Sequence, residues 1–254
     1  MKLKPNRRQF LAGAAGLALA SRAAHASVPT LTARPGKARI VPGDYPQTEI
    51  WGYDGGVPGP EIRLRHGERL TRQLVNNLPQ ATSVHWHGLR IPNAMDGVPG
   101  VTQDAVDPGD GFLYDFTPPD AGTFWYHSHN RSTEQVARGL YGLFIVDETD
   151  PPEVDHDLSV VVDDWRLTEE AALAGEFDRM HDWTHNGRIG NFVHAVVSPS
   201  PTGLKRNERL RLRLVNTATD RVMVIGLHGM EGAMVALDGM PLAVPEVTDH
   251  AVLG

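Results

Sequence analysis

The sequence predicts an all-β protein made of two tandem β-sandwiches, and three observations carry that prediction. The 26 Gly and 19 Pro are scattered as turn punctuation between short apolar runs. No long stretch carries apolar residues at helical spacing, whereas short alternating runs recur along the chain. The ten residues from Gly67 to Asn76 recur as Asn207 to Asn216 at an offset of 140, with six of ten positions identical. A repeat of that length marks a duplicated domain rather than a solenoid, and 254 residues leave room for two cores.

Residues 1–26 read as an address rather than as part of the fold. Paired arginines at Arg7 and Arg8, a short apolar run from Leu11 to Ala20 and the small-residue site Ala24-His25-Ala26 make up a twin-arginine signal, with export to the bacterial periplasm as the expectation. The apolar run is too short to span a bilayer, so no membrane insertion is expected after cleavage. Removal of Lys2, Lys4, Arg7, Arg8 and Arg22 takes the net charge from −7 to −12. So acidic a chain argues against nucleic acid as a partner. There is no Cys, so no disulfide holds the fold in an oxidising compartment.

The first sandwich is placed at residues 36–148. The alternation of Leu70, Arg72 and Leu74 predicts a strand closed by an Asn turn at Asn76. A linker rich in Asp and Pro, DETDPPEVDHD, leads to a second sandwich over residues 157–254, where Leu210, Leu212 and Leu214 predict the matching strand. Each copy then reaches an Asp-Gly pair, Asp96-Gly97 and Asp238-Gly239. The first copy closes with GLYGLFIVDE at 139–148, and its counterpart would fall near 288, so the second sandwich is expected to be incomplete within these residues, with an apolar face left unpaired. The sequence reads as a fragment of a longer protein.

Chemistry concentrates in two motifs of one spacing. In TSVHWHGLRIP, His85 and His87 lie two apart on a strand, so both imidazoles leave one face about 6–7 Å apart while Val84 and Trp86 leave the other. In GTFWYHSHN, His127 and His129 repeat the pattern after the β-favouring run Phe124-Trp125-Tyr126. Two such strands, converging from neighbouring sheets, would make a pocket for a transition metal, although imidazole alone does not choose among copper, zinc, iron and nickel. At the repeat offset, His85 and His87 correspond to Ile225 and Leu227. The second copy thus keeps the strand and fills both positions with aliphatic core. His66, His156, His228 and His250 read as ordinary satisfied or surface histidines, and His181 and His185 as loop residues. Trp86, Trp125 and Tyr126 read as packing.

These motifs resemble the multicopper oxidases, the laccase-like enzymes. The resemblance rests on HWHG at 85–88, DGVPG at 96–100, FWYHSH at 124–129 and GLYGLFIV at 139–146. VVVDDWRL at 160–167, GRIGN at 187–191 and ERLRLRLVN at 208–216 are similar to the second domain of bacterial members. It implies tandem cupredoxin-like Greek-key sandwiches, the second incomplete and without metal ligands. It further implies copper, with His85 as a type 2 ligand and His87, His127 and His129 as type 3 ligands, in half of a trinuclear site that reduces dioxygen to water with electrons from a small-molecule or metal-ion donor. Asp96, eleven residues after His85, would help deliver protons, unless it only serves its Asp-Gly turn. The type 1 copper needs a Cys, which these residues lack, so this fragment by itself is expected to be inactive. The rival readings are a periplasmic copper-binding or copper-tolerance protein without turnover, and a metal-free scaffold acting through protein partners.

Overall fold

The computed structural model describes residues 28–254 except 178, 181 and 183–186. The twin-arginine segment and the pair His181 and His185 therefore lie outside the described residues. Eight strands follow one another in the first unit: β1 (Thr30–Ala38), β2 (Thr48–Tyr53), β3 (Gly59–Arg65), β4 (Leu70–Asn76), β5 (His85–His87), β6 (Gly111–Phe116), β7 (Gly122–His127) and β8 (Tyr141–Asp147). They form two four-stranded sheets, ordered β2-β1-β4-β6 and β3-β8-β7-β5. Each sheet mixes antiparallel pairs with one parallel pair, β1 with β4 and β3 with β8, which is how the chain crosses between the layers.

The inward faces of both sheets supply one core. Leu31, Leu74 and Tyr114 come from the first sheet and Ile62, Trp86, Tyr126 and Phe144 from the second. Trp86 is fully buried and meets Tyr114, Phe116 and Phe144 edge-on, at ring-centroid distances of 5.3, 5.3 and 5.5 Å. Tyr126, its partner across the β5–β7 ladder, sets the space around Gly142, where a Cβ would fall 2.4 Å from the tyrosine ring. The second glycine of GLYG is therefore a packing requirement.

The second unit shares one part of that arrangement. β9 (His156–Trp165), β10 (Phe192–Ser198) and β11 (Leu210–Asn216) form a sheet in the order β10-β9-β11, with β11 parallel to β9 as β4 is to β1. The closing Asn does the same work in both copies: Asn76 Oδ1 accepts the Leu78 N–H at 2.9 Å, and Asn216 Oδ1 accepts the Ala218 N–H at 3.1 Å. Four strands follow as two ribbons, β12 (Met223–Gly226) with β15 (His250–Leu253), and β13 (Gly232–Leu237) with β14 (Met240–Thr248). Large apolar side chains on them face solvent, Val224, Val244 and Val247 being 66%, 75% and 87% exposed.

Three details depart from the sequence pattern. In β11 the buried residue is Arg213, not the alternating leucines, which are half-buried. The guanidinium binds Asp157 of the neighbouring β9 at 2.7 and 2.9 Å and reaches across to Thr123 of β7 in the first unit at 2.8 Å, so the polar face is the covered one. Ile225 and Leu227 are half-buried rather than core, because they stand on the thinly covered ribbons. The two Asp-Gly pairs also differ. Asp238 and Gly239 both adopt positive φ in the tight β13–β14 turn, whereas Asp96 is right-handed and only Gly97 is left-handed. Beyond Arg213, the units are joined by Ser159 to Glu61 at 2.8 Å and by Tyr141 to Asp163 at 2.6 Å.

Candidate metal centre

β5 and β7 are hydrogen-bonded antiparallel neighbours in one sheet, with His85 opposite His127 and His87 opposite Trp125. The sequence reading placed the two histidine strands on neighbouring sheets. The ladder instead puts them side by side, so the period-2 alternation of both strands sends the imidazoles out together and Trp86 and Tyr126 into the core. Burial of that aromatic pair is what fixes the face from which the histidines emerge.

One nitrogen from each of His85, His87 and His127 lies within 4.8 Å of the other two. His129 stands beyond the last paired residue of β7. Its N–H donates to Ser83 Oγ at 3.2 Å, and its ring comes within 5.2 Å of His85 and 6.1 Å of His127, centroid to centroid. All four sequence-predicted histidines therefore meet in one place.

Hydrogen bonding orients the rings. A carbonyl oxygen only accepts, so the 2.7 Å contact from His85 Nδ1 to the Asp96 carbonyl puts the proton on Nδ1 and leaves Nε2 with a free lone pair. The same logic applies to His127, whose Nδ1 lies 2.9 Å from the Ser128 carbonyl. Its bare Nε2 faces His87 Nδ1 at 3.3 Å. One proton is shared between those two nitrogens, and a metal ion would have to displace it to take both lone pairs. This donor set of neutral imidazoles matches what a transition metal takes up.

Electrostatics point the same way. Burial drives the His127 imidazolium down to about 3, against a smaller upward pull from the Ser128 carbonyl, and the neighbouring imidazoles add to the depression. His87 is lowered by burial first and then by His85 and His129. Both rings are thus held neutral, the form that ligates. Trp125 stacks on His127 at 4.2 Å and lies 5.1 Å from the His87 ring, which packs an apolar surface against the cluster.

The histidines open on a cavity of about 660 Å³ whose far wall comes from Thr133 and Val136 of the first unit and Asp182, Thr219 and Asp220 of the second. Asp96 sits at the edge of the cluster, its Oδ1 3.4 Å from His85 Nδ1. It follows a short 3-10 turn, Asn93–Met95, and Gly97 after it has φ +77°, with a Cβ there falling 1.7 Å from the Val84 carbonyl. The Asp-Gly turn and the approach to His85 are one local arrangement.

His66, His156, His228 and His250 lie apart from it. His66 contacts the Pro119 carbonyl at 3.0 Å, His156 pairs with Glu208 at 3.1 Å and His250 with Asp249 at 2.7 Å, while His228 is exposed. Sequence reasoning missed Thr82, Ser128 and Gln135, whose hydrogen bonds tie the two histidine motifs together. No spacing or periodicity marks them.

A sequence profile described as multicopper oxidase matches residues 36–151. The chain is 30% identical over 243 residues to Copper resistance protein A of Pseudomonas syringae pv. tomato, covering 76% of this chain and 40% of that protein. Among solved structures it is similar to Lac15 from a marine microbial metagenome, with 51% identity, a TM-score of 0.81 and coverage of 90% of this chain and 58% of that one. It is also similar to the Blue Copper Oxidase from Nitrosomonas europaea, with 30% identity, a TM-score of 0.71 and coverage of 89% and 71%. The chain spans about two fifths of the length of the curated relative.

Proposed function

The chain belongs to the multicopper oxidase family, and from that premise we propose that it supplies four histidines of a trinuclear copper centre in an enzyme that oxidises a reducing substrate one electron at a time and reduces dioxygen to water. The observation that carries this reading is the convergence of His85, His87 and His127 within 4.8 Å, with His129 alongside. Copper, when bound, supplies the one-electron steps that let dioxygen accept four electrons at one place.

The chain's own residues prepare that place. His85 and His127 each present Nε2, His87 stands 3.3 Å from the His127 Nε2, and Trp125 packs its ring against His127 and His87. Asp96 holds His85 through its carbonyl and keeps a carboxylate 3.4 Å from the same ring, where it would pass protons toward reduced oxygen. In this reading the remaining copper ligands, including a type 1 set with Cys, come from residues outside these 254. Residues 1–26 are proposed to direct export to the periplasm. Among the described residues no helix is long and apolar enough to cross a membrane, a statement that does not bear on β-barrels.

The test is the variant His127→Ala. In the 254-residue chain it should abolish tight Cu(II) binding, and in the full-length enzyme it should sharply lower oxygen uptake while the blue type 1 absorbance persists. Full turnover by that variant would remove the assignment. A second reading, copper tolerance without turnover, is favoured by the name of the Pseudomonas syringae relative. Oxygen consumption by the full-length protein with a phenol or Cu(I) as donor separates the two, since a pure binder consumes none.

A further inference from the structure

We propose that Gln135 is a positioning residue for the metal centre, its buried side-chain amide clamping the segment ahead of the first histidine pair to the turn inside the second. This rests on the reading of the four histidines as a copper site. Gln135 ends the short helix α1 (Ser132–Gln135) and is fully buried. Its Oε1 accepts from Thr82 Oγ1 at 2.8 Å and from Ser128 Oγ at 2.5 Å. Its Nε2 donates to the Ala81 carbonyl at 2.8 Å and to Gln80 Oε1 at 3.3 Å. An amide has two lone pairs and two N–H groups, and all four are used.

The connections matter because of where they land. Ala81 and Thr82 stand just ahead of His85, and Ser128 stands between His127 and His129. The ladder between β5 and β7 ends at the His85–His127 pair, so backbone pairing does not set the direction of His129. That direction depends on the side-chain ties: Gln135 to Ser128, the His129 N–H to Ser83 Oγ, and Asn130 Nδ2 to the Ala81 carbonyl at 2.5 Å. Gln135 adds to these and to the direct Thr82–Ser128 contact at 3.2 Å an amide that bonds to both sides at once, through Ala81 and Thr82 on one and Ser128 on the other. Glu in its place would lose both donated bonds and set a carboxylate against the Ala81 carbonyl; Leu would remove the acceptor the two hydroxyls share, leaving Thr82 and Ser128 their longer contact with each other at 3.2 Å and Ser128 the Asn130 carbonyl at 3.3 Å.

The experiment uses the 254-residue chain, titrated with Cu(II) against a chromophoric chelator and read by electron paramagnetic resonance. Gln135→Leu and the milder Ser128→Ala are compared with wild type, with His127→Ala, and with Leu31→Ala, a core truncation in the opposite sheet. We expect both test variants to lose Cu(II) affinity by about 10–100-fold, as outer partners of metal ligands do, with altered copper hyperfine splitting. Leu31→Ala should lose thermal stability and keep its affinity and spectrum. If Gln135→Leu does not fold, Ser128→Ala carries the test. Wild-type affinity and spectrum in the folded test variants would overturn the positioning role alone, as would an equal loss in Leu31→Ala. A wild-type chain that binds Cu(II) no better than His127→Ala would instead overturn the site, and the function proposed from it.

Discussion

Asp96 addresses one imidazole twice, through its carbonyl at 2.7 Å and its carboxylate at 3.4 Å. Only the second contact can move a proton, so the two roles separate by substitution. Asp96→Asn keeps the carbonyl, the turn and the orientation of His85, and removes the acid. In the full-length enzyme it should slow oxygen reduction by about 100-fold or more, the usual worth of a placed acid, while copper content stays at the wild-type level. Wild-type turnover by that variant would leave Asp96 as turn chemistry only. At this scale the histidines were legible because His-X-His is a local pattern that alternation alone turns into a shared face. Gln135 was not, because its partner Thr82 lies 53 residues away and neither residue type nor spacing announces the contact.

Among the elements, β4 and β11 were legible down to their closing asparagines, since a ten-residue repeat with a turn residue carries its own geometry. The inward face of β11 was not. Alternation states that two faces differ, but which one is covered depends on the packing partner, and here Arg213 is covered, bonded to Asp157 of its own sheet and to Thr123 of the first unit. The Asp96-Gly97 turn shows the same limit, since its glycine is required by a neighbouring strand. Gly97→Ala would place a Cβ 1.7 Å from the Val84 carbonyl at φ +77°. That substitution should cost about 1–3 kcal/mol by strain and, by pushing on the residue before His85, should lower copper affinity in the same protein. Chemical denaturation and the Cu(II) titration check the pair; loss of neither would mean that the turn does not brace β5.

At the scale of the whole molecule, the two units meet over buried polar groups. Asp163 of β9 accepts the Tyr141 hydroxyl of β8 at 2.6 Å, and burial pushes its carboxyl up to about 8. An unfolded Asp releases its proton near pH 4, so between about pH 4 and pH 8 the native chain keeps a proton that the unfolded chain loses. Raising the pH through that window therefore favours unfolding, by about 1.4 kcal/mol for each tenfold bias toward the protonated form. Asp163→Asn keeps the shape without the titration, and its melting temperature should decline less from pH 5 to pH 8 than that of wild type. Parallel pH profiles would show that the interface does not hold a reluctant acid. The Tyr141–Asp163 contact was not legible in the sequence, because it is composed by residues 22 positions apart on separate strands.

The placement of β5 beside β7 has a consequence for how the protein comes to be correct. A slip of one residue in that pairing would bring histidines inward and turn Trp86 out, forfeiting its edge-on packing against Tyr114, Phe116 and Phe144. Misthreaded molecules would thus be unstable as well as unable to hold metal, so the hydrocarbon side of the ribbon acts as a proofreader for the nitrogen side.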